Sequence, residues 1–204
     1  MTFTTMTEQY FRSISEKPSA WVGHGPFASE LVSLIRPELT VDLGVDYGYS
    51  TFSFAYPRIG KVVGIDSFEG DVHAGVRDTY DYVIGLKKKL DDLYGHHEVE
   101  IIKGYFEEVA RDWDRPIDIL HIDGLHTYQA VQQDFLTWSK FLNPDGVVLF
   151  HDTIIFKDDV GKFFDELVGH KYNFEHWYGL GVWTSSKETF DKIKPLLRQI
   201  NEQR

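Results

Sequence analysis

Five short apolar runs, each followed or closed by a glycine or an ionisable residue, constrain this chain more than any other feature of it. They occupy residues 40–43, 62–66, 99–102, 117–122 and 147–150. Between them lie stretches with helical spacing of apolar residues, at 50–54, 79–93, 106–111 and 128–141. A run that is apolar at nearly every position is buried on both faces, which is the pattern of a strand inside a parallel sheet. Alternation of such strands with helices across short connections predicts a doubly wound, mostly parallel, Rossmann-like α/β sheet with helices on both faces. A helix near 160–168, two closing strands at 172–177 and 181–184 and a final helix over 187–200 complete a seven-stranded sheet. Ahead of it, residues 7–16 and 27–35 read as helices, ended by Pro18 and Pro37. We divide the chain into an N-terminal polar and helical arm, 1–20, and one domain, 21–204.

Two of the runs end in chemistry. Leu120-His-Ile-Asp-Gly-Leu-His-Thr-Tyr128 and Val147-Val-Leu-Phe-His-Asp152 deliver Asp123, His126, His151 and Asp152 to one rim. In open α/β sheets the ligand crevice lies beyond the carboxyl ends of the strands. If their strands are neighbours, about 4.8 Å apart, Asp123 and Asp152 repel each other unless a cation sits between them. Mg²⁺ or a similar hard cation fits two carboxylates while leaving room for a substrate oxygen. The near-neutral pKa of an imidazole suits His126 to act as a general base. His121, Asp123 and a later histidine also have the spacing of a non-haem iron facial triad, which makes a metal-dependent oxygenase built on His121, Asp123 and His151 a competing reading. That triad usually lines a β barrel, whereas this chain alternates strands with helices, so His121 is expected to be a hydrogen-bonded core histidine.

The first strand runs into Asp42-Leu-Gly-Val-Asp-Tyr-Gly-Tyr-Ser-Thr51. Gly44 and Gly48 permit a sharp strand-to-helix turn and a close backbone approach to a ligand. A dinucleotide site, as in an NAD-dependent dehydrogenase, calls for Gly-x-Gly-x-x-Gly and bare amides facing a pyrophosphate. Here the spacing is Gly-x-x-x-Gly, and the flanking Asp42 and Asp46 favour a ligand carrying an ammonium and a sulfonium, as S-adenosylmethionine does. Asp66 closes the second strand, where a carboxylate accepts hydrogen bonds from ribose hydroxyls.

The formal charge of -11 argues against a nucleic-acid surface. The absence of cysteine excludes disulfides, thiolate metal sites and a cysteine nucleophile. No apolar run approaches the ~20 residues of a membrane span, and the start of the chain lacks a secretion pattern, so a cytoplasmic location is the default expectation.

With these residues placed, the sequence resembles the class I S-adenosylmethionine-dependent methyltransferases. It is most similar to the group with macrocin-type sugar O-methyltransferases and cephalosporin-hydroxylase-like proteins. The likeness rests on the 41–51 turn, on residues 64–75, on 120–128 with Asp134 following, and on 146–153. It implies an O-methyltransferase acting on a hydroxyl of a small molecule, with a sugar or glycan unit as the expected acceptor. Cofactor contacts are then expected at Asp42, Gly44, Asp46, Gly48, Ser50, Asp66, Ser67, Tyr105 and Asp123. A divalent metal, Mg²⁺ or Mn²⁺, falls to Asp123, Asp152 and His151, with His126 as base. The group has an acid where this chain has His151, which shifts preference from Mg²⁺ toward Mn²⁺, Fe²⁺ or Zn²⁺. Tyr105 or Phe106 would face the adenine ring, and His73 is placed on a loop that could reach the acceptor. A homo-oligomer is compatible with this reading.

Overall fold

The computed structural model describes residues 3–72 and 75–202. Two helices, α1 (Phe3–Ile14) and α2 (Gly25–Ile35), precede β1 (Leu39–Leu43), α3 (Tyr49–Ala55) and β2 (Lys61–Asp66). A small hairpin, β3 (Gly70–Asp71) and β4 (Gly75–Val76), then leads to α4 (Tyr80–Tyr94), β5 (Val99–Lys103), α5 (Phe106–Arg111) and β6 (Ile117–Ile122). The chain continues through α6 (Tyr128–Trp138), β7 (Leu142–His151), α7 (Lys162–Glu166), β8 (His170–Phe174), β9 (Leu180–Thr184) and α8 (Lys187–Glu202).

The main sheet has seven strands in the order β5-β2-β1-β6-β7-β9-β8. The first five are parallel, and β9 runs antiparallel to both β7 and β8. The expected doubly wound α/β architecture is therefore present. Strand order reverses between β1 and β6, so the topological switch point lies where the Gly44 turn meets Asp123.

Side-chain alternation divides the core between the two faces of the sheet. Leu39, Val41 and Leu43 of β1 and Val148 and Phe150 of β7 pack on one face, with Phe135 and Trp138 of α6. Val147 and Leu149 point the other way, into the cluster holding Phe27, Phe52, Phe54 and Leu197. Tyr10 and Ile14 of α1 join this second cluster, and the Tyr10 hydroxyl donates to the Phe52 carbonyl at 2.9 Å.

One polar pair interrupts the second face. Asp42 and His121 are register partners on neighbouring parallel strands, and both are fully buried. His121 Nδ1 lies 2.6 Å from Asp42 Oδ1, and Trp21 Nε1 donates to His121 Nε2 at 3.1 Å. Because indole nitrogen only donates and carboxylate only accepts, the tautomer is fixed: Nδ1 carries the proton. Ser50 and Thr51 of α3 donate to the remaining Asp42 oxygen. Trp21, β6, β1 and α3 are thus joined by one continuous hydrogen-bond chain.

Candidate active site

A crevice of about 520 Å³ opens beyond the carboxyl ends of β2, β1, β6 and β7. Its wall begins at the 44–50 turn, which is shaped from within. Asp66 accepts backbone hydrogen bonds from Val45 and Asp46 at 2.9 Å and from Phe68 at 2.7 Å. Burial raises the Asp66 pKa against these three bonds. A carboxylate has about four acceptor sites, so Asp66 retains one and not the two a ribose diol would use. Gly44, at φ 99°, has the Asp123 carbonyl oxygen 2.0 Å from where a Cβ would stand. That glycine closes the seam between the turn and β6 and also lines the crevice. Gly48, at φ 90°, is the residue before α3, with the Phe52 ring against it.

The other residues expected at the cofactor divide clearly. Asp46, Ser50, Ser67, Tyr105 and Asp123 all line the crevice. Asp42 does not: both its oxygens are taken by His121, Ser50 and Thr51, so it anchors the turn and offers no charge to a ligand. Asp46 pairs with Arg77 at 3.1 Å, and burial still pushes its pKa up to about 6. Tyr105 donates its hydroxyl to Glu69 at 2.7 Å, tying the loops after β5 and β2 together. His73 lies outside the described residues.

At the opposite end, Asp123, His126 and Asp152 present one ligand atom each within 4.8 Å of one another. Neighbouring strands β6 and β7 bring the two acids together. Asp152 adopts φ 63°, a left-handed conformation that Asp tolerates, and its amide donates to the Gly179 carbonyl at 3.0 Å. His126 is set by the loop before α6, which is capped by Thr127 accepting from the Ala130 amide. The His126 ring stacks on Phe156 at 4.6 Å, and its Nε2 lies 2.9 Å from Asp152 and 3.3 Å from Asp123.

Burial opposes charge on His126, but the hydrogen bonds and charges of Asp123 and Asp152 prevail and push its pKa up to about 10. Burial likewise raises Asp123, yet His151 and His126 together hold it well below the ordinary carboxylate range. The pair is an imidazolium clamped between carboxylates. Its pH dependence has a definite sign: stabilisation is complete below about 6.5 and lost as pH rises through about 10. In chelator-treated protein, unfolding titrations should show stability falling across that window, and His126→Gln should flatten the slope. An unchanged slope in the variant would refute the clamp.

His151 departs from its expected place in a ligand set. Its Nδ1 lies 3.3 Å from Asp123, to which it donates from behind, and 3.2 Å from Asp152, which it meets as an ion-pair contact. Its Nε2 is buried against the Trp21 side of the core and has no hydrogen-bond partner. Asp152 Oδ1 also accepts no hydrogen bond, because one Nδ1 proton cannot serve both acids. The facial triad fails for a related reason: both His121 nitrogens are committed to Trp21 and Asp42. Sequence reasoning left several crevice residues without a role, among them Trp21 and Arg77, and named Asp134 only as part of the resemblance. Asp134 carried a signal, since it shares the buried helical stripe of Val131, Phe135 and Trp138.

Fold and rim together define a doubly wound α/β domain whose ligand crevice sits at the switch point. Comparison with known proteins makes this specific: the chain belongs to the family described as "Methyltransferase domain", whose model matches residues 41–153. It is 33% identical over 195 residues to the uncharacterized protein y4gI of Sinorhizobium fredii (strain NBRC 101917 / NGR234), covering 90% of this chain and 21% of that protein. The chain therefore spans about a fifth of that relative. Among solved structures, the O-methyltransferase TomG from Streptomyces achromogenes, in complex with SAM, aligns with TM-score 0.61 and 16% identity over 91% of this chain and 100% of that one. CalS11, a TDP-rhamnose 3'-O-methyltransferase of calicheamicin biosynthesis, aligns with TM-score 0.58 and 14% identity over 89% and 93%. No helix among the described residues is long and apolar enough to cross a membrane.

Proposed function

We propose that this domain transfers a methyl group from S-adenosylmethionine to a hydroxyl of a small molecule, with a sugar or glycan unit as the acceptor class. The carrying observation is one crevice that joins the Gly44 turn to the Asp123, His126 and Asp152 cluster. Family membership supplies the reaction class. TomG, which holds SAM, supports the cofactor, and CalS11, which acts on TDP-rhamnose, supports the acceptor class.

The residues present suit the cofactor. Asp46 would take the ammonium, with Arg77 beside it for the carboxylate. Asp66 keeps one acceptor site for a ribose hydroxyl, and Tyr105 and Phe106 flank the place for a base. They also suit a divalent metal at Asp123, Asp152 and His126: the donor set is two carboxylates and an imidazole, and Asp152 Oδ1 is buried without a hydrogen bond. Such an ion would lower the pKa of a bound hydroxyl and compensate both carboxylates.

Methyl transfer forms a carbon–oxygen bond as the carbon–sulfur bond breaks, leaving a neutral thioether and a proton to remove. An imidazolium cannot accept that proton. His126 would act as base only where the carboxylates that hold its proton are otherwise neutralised and its Nε2 is not itself a ligand; with the imidazole among the ligands, activation of the hydroxyl would fall to the ion. His151, donating from behind to Asp123 and in ion-pair range of Asp152, helps keep the acids oriented on the rim.

The test is calorimetric titration with S-adenosylmethionine, followed by mass spectrometry of a nucleotide-sugar panel incubated with cofactor and Mg²⁺ or Mn²⁺. Binding, and the gain of one methylene on a hydroxylated sugar, are expected. NAD(H) binding in place of S-adenosylmethionine would overturn the proposal.

A further inference from the structure

Helix α3 follows the 44–48 turn without a capping side chain. Its N-cap is Gly48, which has no oxygen to offer the first amides. The side chains of its first three residues are instead tied to other parts of the fold. Tyr49 donates its hydroxyl to the Val22 carbonyl at 3.0 Å, while Ser50 and Thr51 donate to Asp42 Oδ2 at 2.8 and 2.5 Å. Asp42 also accepts from His121, and His121 accepts from the Trp21 indole at 3.1 Å. Both routes end at residues 21–22, in the connection between α1 and α2 and ahead of the stretch 41–153 that the family model matches.

The longer route begins at the indole. Trp21 is 2% exposed, and its single N–H goes to His121 Nε2. Without that donor, Nε2 would be a buried acceptor left unsatisfied, which costs more than the bond itself contributes. The imidazole would then be driven to turn toward another donor, and Asp42 would lose the contact that orients it. Ser50 and Thr51 hold the same carboxylate, so they move with it. Ser50 lines the crevice with its proton already given inward, and toward a ligand its oxygen can only accept.

We propose that Trp21 is a positioning residue for the cofactor: its indole N–H, acting through His121 and Asp42, holds the first turn of α3 in the arrangement that binds S-adenosylmethionine. This inference rests on the cofactor reading given above. Trp21 lines the crevice, yet its polar edge is directed to His121. Phenylalanine at 21 keeps an aromatic ring there and removes the bond.

The experiment is calorimetric titration of wild type and variants with S-adenosylhomocysteine, beside thermal unfolding and nitrogen NMR of the imidazoles. Trp21→Phe should weaken binding about tenfold, and Thr51→Val, at the far end of the route, about threefold. The double variant should bind about as Trp21→Phe does, because one break already frees Asp42; losses that multiply to about thirtyfold would overturn the proposal. Phe54→Leu is the packing control, since the Phe54 ring meets the Trp21 and His121 rings at 5.4 and 5.7 Å. It should lower Tm as Trp21→Phe does while keeping affinity within about twofold. An affinity loss equal to that of Trp21→Phe would reduce the indole to a structural part. In wild type the His121 Nε2 signal should be that of an unprotonated nitrogen accepting a hydrogen bond, displaced in Trp21→Phe and unmoved in Phe54→Leu. A protonated Nε2 in wild type would overturn the assignment, whether or not the variant folds. Unchanged affinity in Trp21→Phe would overturn it and leave the cofactor reading intact. Failure of wild type to bind S-adenosylhomocysteine would overturn both.

Discussion

Replacing Asp123 by Asn is expected to reduce kcat/KM for methyl transfer about a thousandfold, roughly 4 kcal/mol of barrier. The substitution keeps the side chain's shape and removes its charge. Three dependants of that charge weaken together: the His126 proton loses one of its two charged acceptors, the His151 donor loses one of its two charged partners, and the cluster exchanges a charged ligand atom for a neutral one. S-adenosylmethionine affinity should change only a few-fold, since the turn proposed to meet the cofactor is held by Asp66 and Asp42 instead. Single-turnover methyl transfer beside calorimetric titration separates the two effects. Full activity in Asp123→Asn would place the chemistry elsewhere on the rim.

Gly44→Ala should be among the most damaging single-methyl additions to the described residues. At φ 99° an L-residue is already strained, and the new Cβ would meet a backbone carbonyl, which cannot rotate away as a side chain can. A loss of about 3–5 kcal/mol is expected from strain and overpacking together, or roughly 10 °C in Tm for a domain of this size. Cofactor affinity should fall as well, because the turn must lift off β6. Gly75→Ala supplies the control: its φ is 77°, yet nothing stands within 4 Å of its Cβ position. It should lose about 1 kcal/mol from the backbone alone. Equal losses at the two positions would show that the Asp123 contact is unimportant.

The sheet was legible in the sequence because strands buried on both faces are written as uninterrupted apolar runs. All five parallel strands and both closing strands fall where those runs lie. Strand β7 was read too short. Its first half contains Pro144, Asp145 and Gly146, which locally spell a turn, and contacts distant in sequence hold that stretch extended: the pairing of Leu142 with Ile117 and the bonds of Ser185, Ser186 and Thr189 to Pro144 and Asp145. The π-helical turn at Lys157–Gly161 had no local signal, since Asp159 is placed by its bond to the Tyr128 amide across the fold.

The site was legible as a set of residues and illegible as a set of partners. Strand ends identify which side chains reach the rim, and Asp123, His126 and Asp152 do meet there. What alternation cannot tell is who claims each oxygen. Asp42 looked like a ligand group because acids beside a glycine turn attract cations. Its register with His121, and the length of α3's first turn, consume it entirely. His151 follows the same logic in reverse, delivered to the rim by β7 and then turned so that it supports the acids from beneath.

The three amides gathered by Asp66 carry a further consequence. The turn proposed to receive the cofactor derives its shape from bonds within the protein, so little ordering of that turn should remain when a ligand arrives. Association should then resemble the filling of a rigid mould: its heat-capacity change should reflect only the surface covered at contact, and its on-rate should be that of simple diffusional docking.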